Sequence, residues 1–328
     1  MKKKMILWAG FLSSFAILVF SSGIAQSQNT QTGPGTHKVS FSVKGTERTY
    51  LIHVPASYNP QNPMPLVIML HGGGGTGRAA MWETGWAEKA EKEGFLSAFP
   101  NAMAADPAKQ SHFSRNPQLW NDGSGRFYSG QKAPDDVGFI AAMLDDLSKR
   151  YPYNKGRVFV TGFSNGASMS FLAAAKMPER IASIAPVAGA LWFDPPKLKP
   201  PVSMCYITGT ADPLNIIEGG VPKLATGGSD RVRAKPKPPV RESILRWAKA
   251  LDCPEVPKIS EGNGVRTETY SPGLEGSEVV YISVEGLGHT WPGGRSLLPE
   301  YMVGKTTNKI KAVDVIWAFF LKHSRPYR

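Results

Sequence analysis

The pentapeptide Gly162-Phe163-Ser164-Asn165-Gly166 stands between an apolar run, Arg157 to Thr161, and a run of small residues, Ala167 to Ala175. Flanking glycines at such a junction permit a sharp strand-to-helix turn that lifts a serine hydroxyl clear of a sheet. The start of the helix beneath it favours developing negative charge. A serine hydroxyl becomes a nucleophile when a base takes its proton. Of the six histidines, His37 falls in a polar N-terminal leader, His323 near the C-terminus, His53 in a predicted hairpin and His112 in a long polar stretch, while His71 ends an apolar run. His289 instead follows the run Glu278 to Val284, inside Gly286-Leu287-Gly288-His289-Thr290-Trp291-Pro292-Gly293-Gly294. Elbow serines are followed in the chain first by an acid and last by the histidine, so His289 is the expected base.

An imidazole acting as base needs a carboxylate to hold its tautomer and stabilise its charged form. Asp212, in Thr208-Gly209-Thr210-Ala211-Asp212-Pro213 after the run Val202 to Ile207, lies between Ser164 and His289 in sequence and is the expected acid, with Glu218 in reserve. Asp135 and Asp136 precede the serine and read as helix caps. Acyl transfer also needs N–H donors where a carbonyl oxygen becomes an anion. The glycine run His71-Gly72-Gly73-Gly74-Gly75-Thr76-Gly77 follows Leu66 to Leu70 and lets backbone N–H groups approach a substrate. The N–H of Asn165 with that of Gly73, or of Gly74 as second choice, would form an oxyanion hole. No Gly-Lys-Ser or Gly-Lys-Thr follows these glycines, which argues against a phosphate loop; His71 reads as a structural anchor for the loop.

Several elements must position these groups. Lys38 to Val43 and Arg48 to Val54 alternate apolar with polar residues around Lys44-Gly45-Thr46 and predict an antiparallel hairpin. Pro65 to Leu70, Arg157 to Thr161 and Val202 to Ile207 are near-continuous apolar runs, as in strands covered on both faces. Between the runs, Ala79 to Glu93, Asp135 to Lys149, Ala167 to Lys176, Val240 to Leu251 and Asn308 to Lys322 have helical spacing. Alternation of this kind predicts one α/β domain over residues 38–328, a doubly wound, mostly parallel sheet with helices on both faces. The polar, glycine-rich stretch Ala102 to Pro134 is long for a connection and is expected to be functional or to carry short structure of its own.

The N-terminus has its own chemistry. Lys2-Lys3-Lys4, an apolar run from Met5 to Phe20 and small residues at Gly23 and Ala25 make residues 1–25 a secretory signal peptide, and residues 26–37 a flexible leader. The run is short for a bilayer span, so stable membrane insertion after processing is not expected, and the protein is expected outside the cytoplasm, secreted or periplasmic. Without residues 1–25, 35 basic side chains face 26 acidic ones. The densest basic stretch, Arg231 to Lys237, sits among Gly and Pro and carries no basic helix or interleaved aromatics, so a nucleic-acid partner is not expected. Cys205 and Cys253 permit one disulfide, or Cys205 is a buried thiol. Oligomeric state is open.

Taken in order, Leu70 to Gly75, Asp135-Asp136-Val137-Gly138-Phe139, Gly162 to Gly166, Gly209 to Asn215 and Gly288 to Gly293 resemble the secreted α/β-hydrolase esterase family that groups polyhydroxybutyrate depolymerase-like proteins with feruloyl and acetylxylan esterases. The resemblance, over about residues 46 to 325, implies ester hydrolysis through an acyl-enzyme with no cofactor and no metal. It implies a small-molecule or polymeric ester as substrate. Hydroxyalkanoate esters, soluble or amorphous, are the first expectation; plant cell-wall ferulates or acetates are the alternative, and a non-catalytic envelope binding protein on the same fold is a further one. Trp120, Trp192 and Trp291 lie near the assigned loops and are the expected aromatic contacts to substrate, with core packing as the competing role.

Overall fold

The computed structural model describes residues 33–125, 133–222 and 235–326. The expected signal segment, residues 26–32 of the leader and Arg231 to Ala234 of the basic stretch lie outside them. The strands are β1 Gly35–Val43, β2 Thr46–Val54, β3 Met64–Leu70, β4 Leu96–Pro100, β5 Tyr153–Phe163, β6 Ser183–Val187, β7 Ser203–Gly209, β8 Lys258–Gly262, β9 Val265–Tyr270 and β10 Val279–Val284. They form one sheet in the order β1-β2-β4-β3-β5-β6-β7-β10-β9-β8. From β4 to β10 every neighbouring pair is parallel. The antiparallel hairpins β1–β2 and β8–β9 close its two edges, through β2 on β4 and β9 on β10.

Side-chain alternation along the parallel strands explains why helices cover both faces. Leu66, Ile68 and Leu70 share one core with α3 Asp136–Arg150, α4 Asn165–Lys176 and α5 Val240–Ala250, through residues such as Phe139, Met169 and Trp247. Val67 and Met69, one residue out of phase, enter a second core with α1 Gly77–Thr84, α2 Trp86–Glu93 and α7 Ala312–Lys322. In that second core the Trp317 ring stacks on Phe95 with centroids 4.1 Å apart. The short α6, Glu300–Val303, lies in the connection before α7. This is the doubly wound α/β-hydrolase architecture that the alternation of runs predicts.

Several boundaries differ from expectation. The first strand begins at Gly35, not Lys38, because Gly35, Thr36 and His37 pair with Val54, His53 and Ile52, with Thr36 Oγ1 also bonded to His53 Nδ1 at 3.0 Å. The single helix expected over Ala79 to Glu93 is two, since Gly85 adopts φ 72° and turns the chain between them. Asp135 caps α3, accepting from the Gly138 N–H, but Asp136 does not cap. It is buried against Arg48 at 2.6 Å and also accepts from the Asn121 N–H at 2.7 Å. Burial lowers the Arg48 guanidinium pKa and raises that of the Asp136 carboxyl, and their attraction opposes both shifts. Breaking a buried pair of this kind costs about 3–5 kcal/mol, because the survivor is left as an uncompensated charge. The pair pins the long loop after β4 to the start of α3. Cys205 and Cys253 are both free thiols.

Candidate active site

Every expected site residue leaves the carboxyl end of a parallel strand, where ligands bind in sheets of this kind. The chain passes from β3 to β4 on one side and to β5 on the other, so the β3 and β5 loops open between them. Leu70 pairs with Gly162, which brings the glycine run and the serine turn to the same level.

Ser164 sits at φ 55°, ψ −115°, a region that costs a non-glycine residue about 1–3 kcal/mol. Its surroundings hold it there. Its N–H donates to the Val187 carbonyl at 2.9 Å, and its own carbonyl accepts from the Ser168 N–H at 3.1 Å. A Cβ at Gly162 would strike the Gly166 carbonyl, and one at Gly166 would strike the carbonyls of Leu70 and His71, so both glycines of the pentapeptide are steric requirements. The Ser164 side chain makes no capping bond to the helix it opens, which leaves the hydroxyl uncommitted.

Asp212 and His289 meet because β7 and β10 are parallel neighbours ending together, Gly209 opposite Val284. The two loops are then stitched: the Ala211 N–H donates to Leu287 O at 3.0 Å, and the Gly286 N–H to Thr210 Oγ1 at 2.9 Å. His289 Nδ1 lies 2.8 Å from Asp212 Oδ2, with both residues buried. The other carboxylate oxygen, Oδ1, accepts from the N–H groups of Leu214 at 2.8 Å and Asn215 at 2.7 Å. Burial works to raise the Asp212 carboxyl, yet the neighbouring imidazole and these donors outweigh it and hold the group below its ordinary value. A charged acceptor at Nδ1 selects the tautomer with its lone pair on Nε2. The ring of Phe163, the residue before the serine, lies 4.8 Å from the imidazole and seats the elbow beside it. Glu218 is exposed and makes no bond to His289.

The glycine loop divides its donors. Gly74 N–H is committed to Gln118 O at 2.8 Å and Gly75 N–H to Gly72 O at 3.0 Å, whereas Gly73 N–H has no acceptor among the described residues. A Cβ at Gly73 would lie 3.7 Å from Asn165 Cβ, so the two expected donors are neighbours. The Asn165 N–H, first in its helix, has no intrahelical acceptor. Its side chain is fixed: Oδ1 accepts from the Trp120 N–H at 2.7 Å and Nδ2 donates to Asp122 Oδ2 at 2.7 Å. His71 anchors the loop as expected. Its Nδ1 donates to Gly72 O at 2.7 Å, its Nε2 accepts from the Ala102 N–H at 3.0 Å, and burial depresses its pKa to about 4.

Trp120 is the clearest correction. It is 1% exposed, and its indole N–H donates to the His71 carbonyl at 2.9 Å, so it builds the core under the loop and presents no face to a ligand. Trp291 is also buried, close behind the imidazole. Trp192 is half-buried, with Lys235 Nζ 5.2 Å from its ring centre, and is the one of the three that reaches the surface. Asp122 and Asn215 were not anticipated. Asn215 donates one side-chain N–H to the Tyr206 hydroxyl at 2.9 Å and turns the acid loop. Asp122 holds Asn165 from 43 residues away in sequence, whereas Asn215 lies three residues from Asp212, within the stretch Gly209 to Asn215 that carried the acid. Among the described residues no group of His, Cys, Asp and Glu gathers closely enough to hold a metal ion.

His71 offers a direct test of this electrostatic frame. Its folded pKa, about 4, is below the unfolded 6.5, so its contribution to stability is complete above pH 6.5 and is lost as pH falls toward 4. The loss amounts to about 3 kcal/mol in total. Imidazole NMR should show the His71 ring still neutral at pH 5, its signal assigned through its absence in His71→Gln. A His71 signal titrating near 6.5 would contradict the buried neutral anchor.

Residues 42–203 match the esterase family described as "Putative esterase". The chain is 28% identical to "Putative esterase NocK" of Nocardia uniformis subsp. tsuyamanensis over 85% of its own length and 80% of that protein's. It is 26% identical to feruloyl esterase D of Neurospora crassa, with 85% of each chain covered. To the poly(3-hydroxybutyrate) depolymerase of Ralstonia pickettii it is 22% identical over 85% of this chain, spanning 58% of that relative. Among solved structures, the acetyl xylan esterase from Aspergillus awamori superposes with a TM-score of 0.53 at 19% identity, covering 78% of this chain and 94% of that one, a likeness of fold. The matched segment and these relatives make the chain similar to esterases, a feruloyl esterase among them, and to a polyhydroxybutyrate depolymerase.

Proposed function

We propose that the protein hydrolyses carboxylic esters through an acyl-enzyme on Ser164, with His289 as general base and Asp212 as the acid that orients it. The observation that carries this reading is the 2.8 Å bond from His289 Nδ1 to Asp212, which leaves Nε2 as the free basic nitrogen of a ring that packs on Phe163, the residue before a serine whose hydroxyl makes no hydrogen bond among the described residues. As Ser164 Oγ attacks the ester carbonyl, its proton passes to Nε2. The carbonyl oxygen becomes an anion received by the N–H groups of Gly73 and Asn165. Collapse expels the alcohol, which takes the proton from Nε2; water then repeats the sequence in reverse and releases the acid. Each oxyanion donor of this kind contributes about 2.7–4 kcal/mol.

The preferred substrates are soluble or amorphous hydroxyalkanoate esters, over crystalline polymer, because detached chains need no lattice disruption before they enter the site. The basic, apolar, small-residue pattern of residues 1–25 supports export. Among the described residues no helix is long and apolar enough to cross a membrane.

On p-nitrophenyl butyrate, Ser164→Ala should lower kcat about 10⁶-fold. Asp212→Asn should lower it on the order of 10⁴-fold while the protein stays folded, and Glu218→Gln should leave it near wild type. A crippled Glu218→Gln beside an active Asp212→Asn would reverse the acid assignment. For export, intact mass of the processed protein should place its N-terminus within a few residues of Gln26; exported material that retains Met1 would contradict the signal.

A further inference from the structure

Between the turn that joins β1 to β2 and the long connection after β4 lies a cavity of about 520 Å³, within the range of about 300–1,000 Å³ that small-molecule sites occupy. None of Ser164, Asp212, His289, Gly73 and Asn165 lines it. One wall is the chain from Asn101 to Gln118, which doubles back on itself with Ala104 paired to Gln118 and His112 to Asn116. Buried Asn116 ties the bend, accepting from the Asp106 N–H at 2.7 Å and donating to the Asp106 and Lys109 carbonyls at 2.9 and 3.1 Å. The same segment holds the glycine loop, through Ala102 N–H to His71 and Gly74 N–H to Gln118 O. The wall is therefore fixed before any ligand arrives.

The chemistry of the walls narrows the occupant. Ala102 to Ala104 and Pro107 make an apolar part, and most of the rest is polar. Of the three charged residues, two are already paired, Arg48 with Asp136 at 2.6 Å and Lys109 with Asp106 at 2.9 Å. The third, Glu47, is exposed, and its carboxylate has no hydrogen bond or ion pair among the described residues. The Gln118 amide is also unspent: its Oε1 is buried without a partner, and its broad two-fold terminal torsion lets either end turn to the cavity. The hydroxyls of Thr46 and Ser111 make no hydrogen bond among the described residues. An anion would meet Glu47 and find no unpaired cation. A diamine would meet Glu47 but accept nothing from the hydroxyls or the amide N–H, and an apolar molecule would desolvate all four groups and return no bond. A hydroxyl donates to a carboxylate or amide oxygen and accepts from a hydroxyl or amide N–H, so it suits every one of them. We propose that this cavity is a ligand site separate from the catalytic one, and that it takes a small neutral molecule carrying several hydroxyl groups, such as a sugar or a cyclitol. Glu47 and Gln118 accept from its hydroxyls, and Thr46 and Ser111 complete the ring of contacts. The site stands independently of the ester-hydrolase reading.

The test is a titration of the purified protein followed by backbone amide NMR, with cellobiose and myo-inositol as probes and 1,4-diaminobutane, inorganic phosphate and 1-hexanol as comparisons. At least one probe should bind saturably and shift the amides of Thr46, Glu47, Ser111 and Gln118. It should bind about tenfold or more tightly than any comparison, the discrimination that one charge-assisted hydrogen bond supplies. Glu47→Leu should weaken it by about the same factor, and because Glu47 is exposed this variant keeps its fold. Gln118→Leu should weaken it as well, and Ser164→Ala should bind as the wild type does. Saturable binding of neither probe overturns the site, and so does a comparison that binds more tightly than both. A Glu47→Leu protein of wild-type affinity, or shifts confined to the loops of Ser164 and His289, would overturn it too.

Discussion

At Ser164 the backbone is held at a positive φ that a serine does not adopt by preference, and the site is arranged around keeping it there. The strand before it and the helix after it are both buried, so the turn cannot relax by moving either. Gly162 and Gly166 allow the two to approach, and Gly189 does the same on the third side, where a Cβ would meet the Ser164 carbonyl. Strain of about 1–3 kcal/mol is small against two cores built on opposite faces of one sheet. The turn leaves Ser164 part-exposed at the start of the helix, whose first N–H groups have no acceptor within it. Position and electrostatics at the reaction centre thus come from one backbone feature.

Around that turn the charges are fixed by burial and by few partners. Asp212 keeps its charge because the imidazole and two backbone N–H groups oppose the cost of desolvation. His71 loses its charge because the Gly72 carbonyl alone does not offset that cost, and a neutral ring can both donate to Gly72 and accept from Ala102. The two groups lie on loops from different strands and take opposite protonation behaviour from their surroundings, one holding the His289 ring and one holding the glycine loop. Trp120 connects these parts. Its backbone N–H fixes Asn165, its indole N–H fixes the His71 carbonyl, and its neighbour Asn121 leads to the buried Arg48–Asp136 pair.

Local patterns were the most legible part of the chain. Glycines flanking a serine, a glycine run after an apolar strand, and an acid and histidine after later strands each report a backbone requirement visible within a few residues. The hairpin of β1 and β2 alternates cleanly and was equally readable. The edge hairpin of β8 and β9 was not, because β8 is exposed along its length and offers no apolar alternation. The last helix starts at Ala312, after the expected Asn308, since residues before it are held by loop bonds such as Gly293 N–H to Thr307 O. Trp120 and Asp122 act through partners that are far away in sequence. Their roles follow from which loops the sheet brings together, and that order is a tertiary fact. The glycine choice shows the same limit: Gly73 and Gly74 are alike in sequence, and the Gln118 carbonyl occupies the N–H of Gly74 and not that of Gly73.

The central claim is geometric, that one serine oxygen and two particular N–H groups face a single point. A crystal structure of the protein inactivated by a p-nitrophenyl phosphonate tests it most directly. The account predicts phosphorus bonded to Ser164 Oγ, with one phosphonyl oxygen 2.7–3.1 Å from the N atoms of both Gly73 and Asn165, the range expected of oxyanion donors. An adduct on another residue, or an oxygen turned away from both N–H groups, would contradict it.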